Sequence, residues 1–231
     1  MTSLCIIPAR GGSKRIPKKN IKSFLGKPII AYSIEAALKS KLFDEVMVST
    51  DDITISKLAE EYGAKVPFLR SDKNANDFAV LADVLKEVLN RYNSNGLCFG
   101  YACYILPTAP FVNNKKLLDS FNILRKNNFD SVFPVQKFSF PIQRALQIKN
   151  GKIEMVNREF LNTRSQDLPL RYFDSGQFYW LKVGSFLEKL QLYSSNSGSI
   201  IISELEAQDI DTETDWKLAE LKYKLLNEIS K

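Results

Sequence analysis

The chain has 231 residues, 45% of them hydrophobic, which is enough for a full core in one large α/β domain or in a domain with a sizeable insertion. It contains no histidine, which excludes Ser-His-Asp triads, histidine zinc sites and histidine general bases, and favours phosphoryl or nucleotidyl transfer by positioning and charge neutralisation. The net charge of +6 is local, because residues 1–34 carry seven of the 32 basic residues and no acid; this pattern predicts a small polyanionic ligand and argues against a nucleic acid.

A short apolar run, 4–7, predicts the first buried strand, and it leads into a basic loop with the sequence Arg10-Gly11-Gly12-Ser13-Lys14-Arg15. Glycine lets the backbone approach an anion, and lysine and arginine add charge and donors, so we expect a phosphate site here. The spacing fits neither a Walker A box nor a dinucleotide fingerprint. By pattern alone the loop is equally typical of a solvated basic turn.

Strand and helix patterns then alternate along the chain, which predicts a mainly parallel sheet with helices on its faces. Predicted helices cover 28–38, 52–62 (ended by Gly63), 77–92, 114–127, 184–190 and 213 to the end, and predicted strands cover 45–50, 64–69, 101–106, 131–135, 177–181 and 199–202. The helical faces include Leu38 and Val80 among their apolar residues. The three cysteines, Cys5, Cys98 and Cys103, lack zinc-type spacing and are expected to be reduced and mostly buried.

The alternation fails over about 137–172, where two short apolar runs flank Lys149-Asn150-Gly151. Glycine in such a turn indicates a β-hairpin. We interpret the segment as an insertion that covers the site or pairs with another chain.

Asp209 and Asp211 are the best candidates for metal ligands, since a nucleotidyl transferase normally needs a divalent cation held by carboxylates, phosphate oxygens and water. In an extended segment the two side chains point to one side and Ile210 points into the core. The alternative is an acidic helix start, with Asp211 or Thr212 as the cap.

Two polar clusters, 162–167 and 171–177, are dense in hydrogen-bonding side chains next to an aromatic strand. They suit a polyhydroxylated ligand with a carboxylate, which arginine can bind in a bidentate way. A solvated surface loop is the alternative.

Three motifs in this order resemble the acylneuraminate cytidylyltransferases, the CMP-sialic acid synthetases: Ile7-Pro8-Ala9-Arg10-Gly11-Gly12-Ser13-Lys14-Arg15-Ile16-Pro17-Lys18-Lys19-Asn20, Val48-Ser49-Thr50-Asp51 and Asp209-Ile210-Asp211-Thr212. The resemblance spans essentially the whole chain. The segments 141–144, 162–168 and 174–179 look most like the pseudaminic acid branch of that family, whose members couple CTP to a nine-carbon sialic-acid-like sugar used on bacterial flagellins and surface glycans. Many sialate enzymes carry glutamine where this chain has Leu106.

The resemblance implies one cytidylyltransferase domain over residues 1–231, with a Rossmann-like nucleotide-diphospho-sugar transferase fold, a mostly parallel central sheet flanked by helices, and the insertion 137–172 as a β-hairpin dimerisation segment. It also implies a homodimer, Mg²⁺ as cofactor, and CTP and a nine-carbon 2-keto acid sugar as partners. By this resemblance CTP is bound by Ala9, Arg10, Gly11, Ser13, Lys14, Lys19, Asn20 and Arg70, and Arg70 helps to read the cytosine base. The metal is bound by Asp209 and Asp211, and Arg10, Lys14 and Asp211 are the catalytic candidates. The sugar candidates are Gln143, Arg144, Arg164 and Gln177.

We therefore expect transfer of CMP from CTP to the anomeric hydroxyl of a nonulosonic acid, with pyrophosphate released. N-acetylneuraminic, legionaminic and keto-deoxyoctulosonic acids are the alternative sugars, and a non-catalytic sugar-nucleotide-binding protein is the alternative class. With no apolar run near the roughly 18 residues of a membrane span and no signal-like start, we expect a cytoplasmic protein with no membrane partner.

Overall fold

The computed structural model describes residues 2–76 and 80–229. Its strands are β1 (Ser3–Pro8), β2 (Ser23–Phe24), β3 (Lys27–Pro28), β4 (Glu45–Ser49), β5 (Tyr101–Ile105), β6 (Ser131–Lys137), β7 (Leu146–Lys149), β8 (Lys152–Met155), β9 (Tyr172–Asp174), β10 (Phe178–Lys182) and β11 (Ser197–Ile202). Its helices are α1 (Ile29–Ser40), α2 (Ile53–Glu61), α3 (Asp72–Ala75), α4 (Leu81–Ser94), α5 (Asn114–Lys126), α6 (Val183–Lys189) and α7 (Glu213–Ile229).

The central sheet has the strand order β11-β6-β10-β5-β1-β4, and β9 adds to β6. Neighbours β1 and β4, β1 and β5, and β6 and β11 are parallel. Two strands of the described sheet run in the opposite direction. Strand β10 pairs antiparallel with both β5 and β6, and β9 pairs antiparallel with β6. The predicted α/β fold with a mostly parallel sheet is confirmed.

Each central strand is buried on both faces, with alternate residues packing on opposite sides. In β1, Cys5 and Ile7 join the core under α1, α2 and α5, whereas Leu4 and Ile6 join the core under α4 and α6. The continuous apolar runs that predicted buried strands arise from this two-sided cover. None of the helices within 2–76 and 80–229 is long and apolar enough to span a bilayer.

Most predicted elements are present, and the exceptions have local causes. The predicted strand 64–69 is wrong: only Lys65 bridges to Met47, and the chain then leaves the sheet edge at Pro67, which has no N–H to donate. Strand β9 was not predicted. Leu38 and Val80 are exposed instead of lying on buried helical faces, and Cys98 is exposed while Cys5 and Cys103 are buried. Residues 77–79 of the predicted helix 77–92 lie outside the described residues.

Between β6 and β9 the chain leaves the main sheet, and β7 and β8 form the predicted hairpin as a separate antiparallel pair. Asn150 and Gly151 both have positive φ, 51° and 74°, as a two-residue type I′ turn requires. Ile148 and Ile153 face each other on one side of this hairpin and are 77% and 68% exposed. The hairpin therefore presents an apolar face to solvent.

Gly198 in β11 offers a test of the packing at the sheet edge. A Cβ at this position would lie 2.5 Å from the ring of Phe129. We expect Gly198→Ala to cost about 1–3 kcal/mol through overpacking and to lower Tm by roughly 2–10 °C in a chain of this size. The control is Gly184→Ala in α6, where a Cβ meets nothing within 4 Å. Thermal unfolding with equal losses in both variants would contradict the assigned contact.

Candidate functional site

A cavity of about 300 Å³ opens where β1 and β5 end at their carboxyl termini. Open α/β sheets bind ligands at this edge, because the loops that follow parallel strands converge there. The wall is formed by Pro8, Arg10, Ser13, Lys14, Arg15, Ile16, Lys19, Asn20, Arg70, Asn74, Asn76, Leu81, Val84, Tyr104, Leu106, Pro107, Thr108 and Asp209. Six of the eight predicted CTP ligands and one of the two predicted metal ligands are among them.

The basic loop is fixed to the end of β4 by its backbone. Ala9 N donates to the Ser49 carbonyl at 2.9 Å, and Gly11 N donates to Asp51 Oδ1 at 2.9 Å. A Cβ at Gly11 would lie 2.7 Å from Asp52 Oδ2, so glycine is needed here for close approach. Ala9 is fully buried, and neither Ala9 nor Gly11 lies in the cavity wall.

Lys19 and Asn20 close the loop from its far end, in a short 3₁₀ turn over Lys19–Ile21. The Asn20 side-chain amide donates to the Arg10 carbonyl at 2.9 Å. Lys19 Nζ donates to the Ile210 carbonyl at 2.6 Å and lies 3.7 Å from Asp211 Oδ1. These contacts hold the cationic loop against the segment that carries the two aspartates.

Arg70 also lies in the cavity wall and is only 8% exposed. Its Nε donates to Ser49 Oγ at 3.1 Å, and its Nη2 donates to the Ser49 carbonyl. Burial lowers the pKa of Arg70, and the nearby Tyr104 and Asp51 oppose that effect; an arginine keeps its charge under such conditions. The site thus has a rigid guanidinium whose orientation is set by β4.

The segment after Arg70 is ordered by Glu87 of α4. Glu87 accepts from Ser71 N at 2.9 Å and from Ser71 Oγ at 2.7 Å, and it also accepts from the Asn74 amide. Burial alone would raise the pKa of Glu87, but these hydrogen bonds outweigh it and lower the pKa. The carboxylate therefore stays charged and keeps the Asn74 wall in place.

Asp209 and Asp211 flank Ile210, which is fully buried, as predicted from the alternation. Asp209 lies in the cavity wall. Desolvation by the surrounding protein, together with the charge of Asp211, raises the pKa of Asp209. Asp211 Oδ1 lies 2.7 Å from Arg15 Nη2.

Helix capping is performed by the neighbouring residues. Asp215 Oδ2 accepts from Thr212 N at 2.7 Å, and Thr212 Oγ1 accepts from Asp215 N at 3.2 Å, which is a reciprocal capping arrangement. The Asp211 carboxylate is therefore engaged by Arg15 and Lys19 and is not the cap. Within residues 2–76 and 80–229 no group of three or more His, Cys, Asp or Glu side chains is arranged to hold a metal ion.

The four sugar candidates lie outside the cavity wall. Gln143 is buried and its amide donates to the Pro169 carbonyl at 2.7 Å, Arg144 donates to Ser165 Oγ at 3.2 Å, and Arg164 pairs with Asp167 at 2.7 Å. Gln177 contacts a wall residue through its backbone carbonyl, which accepts from Leu106 N, and its side-chain amide donates to the Glu206 carbonyl.

Sequence reasoning missed several residues of the wall. The sequence places Tyr104 only within the predicted strand 101–106, and it assigns no role to Asn74 and Asn76. Thr108 follows Pro107 directly after β5, a position at the carboxyl end of a central strand that could have been identified from the predicted topology.

Known proteins with similar sequences are cytidylyltransferases and related synthases. A family model described as Cytidylyltransferase matches residues 4–212. The pseudaminic acid cytidylyltransferase of Campylobacter jejuni is 39% identical over 229 residues, 99% of each chain. The CMP-N,N'-diacetyllegionaminic acid synthase of Legionella pneumophila is 31% identical and covers 95% of each chain.

Among solved structures, a CMP:2-keto-3-deoxy-manno-octonic acid synthetase complexed with CTP superposes with a TM-score of 0.71, at 18% identity, over 99% of this chain and 100% of that one. At this identity the likeness supports the fold alone. The family match, by contrast, covers most of the chain and includes both the basic loop and the Asp209–Asp211 segment. The chain therefore belongs to the cytidylyltransferase family.

Proposed function

We propose that this protein transfers CMP from CTP to the anomeric 2-hydroxyl of a nonulosonic acid, of the pseudaminic type, and releases pyrophosphate. The observation that carries the proposal is the single cavity that joins the cationic loop, Arg70 and Asp209 at the carboxyl ends of β1 and β5. The sugar assignment is supported by the 39% identity to the pseudaminic acid enzyme, against 31% to the legionaminic acid enzyme.

In the proposed reaction the sugar hydroxyl oxygen forms a bond to the α-phosphorus and gives up its proton to solvent, and the bond from that phosphorus to the bridging oxygen of the β-phosphate breaks. Arg10 and Lys14, both in the cavity wall, are placed to stabilise the charge that develops on the leaving pyrophosphate. Ser13, Lys19 and Asn20 bind the remaining phosphate and ribose oxygens. No protein atom needs to form a covalent bond.

The donor chemistry of Asp209 and Asp211 fits Mg²⁺, which prefers one or two carboxylates completed by phosphate oxygens and water. When bound, the ion neutralises phosphate charge and polarises the attacking hydroxyl. The contacts of Asp211 with Arg15 and Lys19 compensate its charge when no cation is present.

We expect Asp211→Ala and Arg10→Ala to reduce turnover by on the order of a hundredfold or more, because each removes a charge contact to the transition state. Pyrophosphate release is measured with CTP, ATP, GTP and UTP against pseudaminic, legionaminic, N-acetylneuraminic and keto-deoxyoctulosonic acids. Asp119→Ala, which breaks an exposed ion pair with Lys115 on α5, is the control and should retain activity.

Four outcomes of this experiment would contradict parts of the proposal. Near-normal turnover of Asp211→Ala would remove the metal assignment, and unaltered CTP kinetics of Arg10→Ala would remove the loop assignment. CTP binding without pyrophosphate release on any sugar would favour a non-catalytic sugar-nucleotide-binding protein. Turnover only with N-acetylneuraminate would overturn the sugar assignment.

The two loop glycines provide a matched pair for the nucleotide site. A Cβ at Gly11 meets Asp52, whereas a Cβ at Gly12 meets nothing within 4 Å. We expect Gly11→Ala to shift the loop and raise KM for CTP about tenfold, consistent with overpacking costs of about 1–3 kcal/mol. Gly12→Ala should stay within about twofold of the parent by the same reasoning. Equal KM values for the two variants would show that the close approach at Gly11 does not set the loop position.

We further propose that residues 1–231 form one domain and that its insertion, 137–172, joins two copies of the chain through the apolar face of the β7–β8 hairpin. Leu146, Ile148 and Ile153 lie on that face and are each more than 60% exposed, an arrangement typical of an interaction surface. Gln147 and Glu154 lie on the opposite face.

Sedimentation of the parent should give a dimer, and Ile148→Asp should shift it to monomer because a charge enters the apolar contact. Gln147→Asp places the same charge on the polar face of the hairpin and should leave the dimer intact. A monomeric parent, or a dimer that survives Ile148→Asp, would contradict this arrangement.

A further inference from the structure

Three buried side-chain polar atoms lack a hydrogen-bond partner within residues 2–76 and 80–229: Tyr104 Oη, Gln143 Oε1 and Gln177 Oε1. Of the three residues, Tyr104 alone lies in the wall of the cavity. A buried hydroxyl without a partner is costly, and native structures rarely retain one without a reason. The ring of Tyr104 contributes to the core, but phenylalanine would do the same, so the hydroxyl itself needs an explanation.

Tyr104 and Arg70 both lie in the cavity wall, close enough for the guanidinium charge to act on the Tyr104 hydroxyl. Tyr104 pairs with Ile6 of β1 and Tyr179 of β10, and its side chain packs in the core on the α4 side with Leu85 and Val88. Burial raises the pKa of Tyr104, and the charge of Arg70 partly opposes that rise. The hydroxyl is thus protonated at neutral pH, and it can donate one hydrogen bond and accept others.

This part of the cavity suits a flat base more than phosphates. Leu81 and Val84 of α4 and Leu106 after β5 supply apolar surface beside Tyr104, whereas the cations of the basic loop lie in the wall formed by residues 10–19. Arg70 can only donate, and Ser49 fixes the direction of its guanidinium. The fixed guanidinium of Arg70 can therefore bind a base that has a hydrogen-bond acceptor at the facing edge. It disfavours a base that has an N–H at that position.

We propose that the Tyr104 hydroxyl binds the pyrimidine base beside Arg70 and accepts a hydrogen bond from the exocyclic 4-amino group of cytosine. Arg70 then donates to the N3 acceptor of the same base. Uracil carries an N–H at position 3, which opposes the Arg70 donors, so uracil cannot adopt this pose and does not bring its position 4 to the Tyr104 hydroxyl. Tyr104 is therefore a specificity residue of the proposed cytidylyltransferase site, and this inference rests on that proposed function.

Tyr104→Phe keeps the ring and removes only the hydroxyl. We expect its kcat/KM for CTP to fall about tenfold, about 1.4 kcal/mol, with little change for UTP, so that the CTP-to-UTP preference falls about tenfold. Equilibrium binding of CMP and UMP by calorimetry should show the same loss of preference without turnover. Because an orphan buried hydroxyl is removed, the variant should unfold at the same or a higher temperature than the parent.

Tyr92→Phe is the matched control. Tyr92 is also a buried tyrosine, but its hydroxyl donates to Glu45 and it is not part of the cavity wall. Its loss should lower Tm, because Glu45 loses a partner, and should leave the CTP-to-UTP preference unchanged. The two variants thus separate loss of a structural hydroxyl from loss of a base contact.

The triphosphate of pyrimidin-2-one riboside, which lacks the 4-amino group, tests the contact directly. The parent should use it about as poorly as Tyr104→Phe uses CTP, and Tyr104→Phe should show no further loss with it. A CTP-to-UTP preference that persists in Tyr104→Phe would overturn the inference while leaving the proposed function intact. A parent that neither binds CMP nor turns over CTP would instead overturn the proposed function.

Discussion

The basic loop concentrates positive charge that would repel itself in the absence of a ligand, and the structure depends on the acceptors that hold this loop in place. Lys19 reaches the Ile210 carbonyl, Arg15 reaches Asp211, and the Gly11 amide reaches Asp51. These acceptors come from the end of β4 and from the segment before α7, so residues far apart in sequence are fixed around one cavity. The cationic side chains around the cavity are consequently held in position by the protein itself, and the proposed CTP site would not have to assemble its donors when the ligand binds.

Features set by local sequence were predictable, and those set by distant contacts were not. The basic loop, the Asn150-Gly151 turn and the buried position of Ile210 follow from residue type and short-range alternation. The direction of β10 and the existence of β9 depend on which strands become neighbours, which a single sequence does not specify. Tyr104 could be placed in a strand, but the missing partner of its hydroxyl is visible only once the surrounding side chains are in place.

The nucleotide and sugar halves of the candidate site differ in how they are built. The nucleotide half consists of loops at the ends of central strands, on a rigid sheet that is buried on both faces. The sugar candidates Gln143, Arg144 and Arg164 lie in the insertion between β6 and β9, outside the cavity wall of the same chain. The proposed pairing of two copies would give these residues an environment that one chain alone does not supply. The same insertion carries the exposed β7–β8 hairpin, so sugar recognition and the association of two copies would both depend on this segment.

Strand β10 has a consequence for how the molecule reaches its folded state. It lies between β5 and β6, which do not pair with each other, so it is the only strand that joins β4-β1-β5 to β6-β11 in the described sheet. During synthesis both β5 and β6 leave the ribosome well before residues 178–182, and each then presents an unpaired edge to solvent. Long-range pairing of this kind is slow, and exposed edges favour aggregation. Strand β11 follows β10 in the chain, so the β6 side of the sheet is still incomplete when β10 emerges. The insertion of β10 between β5 and β6 is therefore a step at which misassembly is expected.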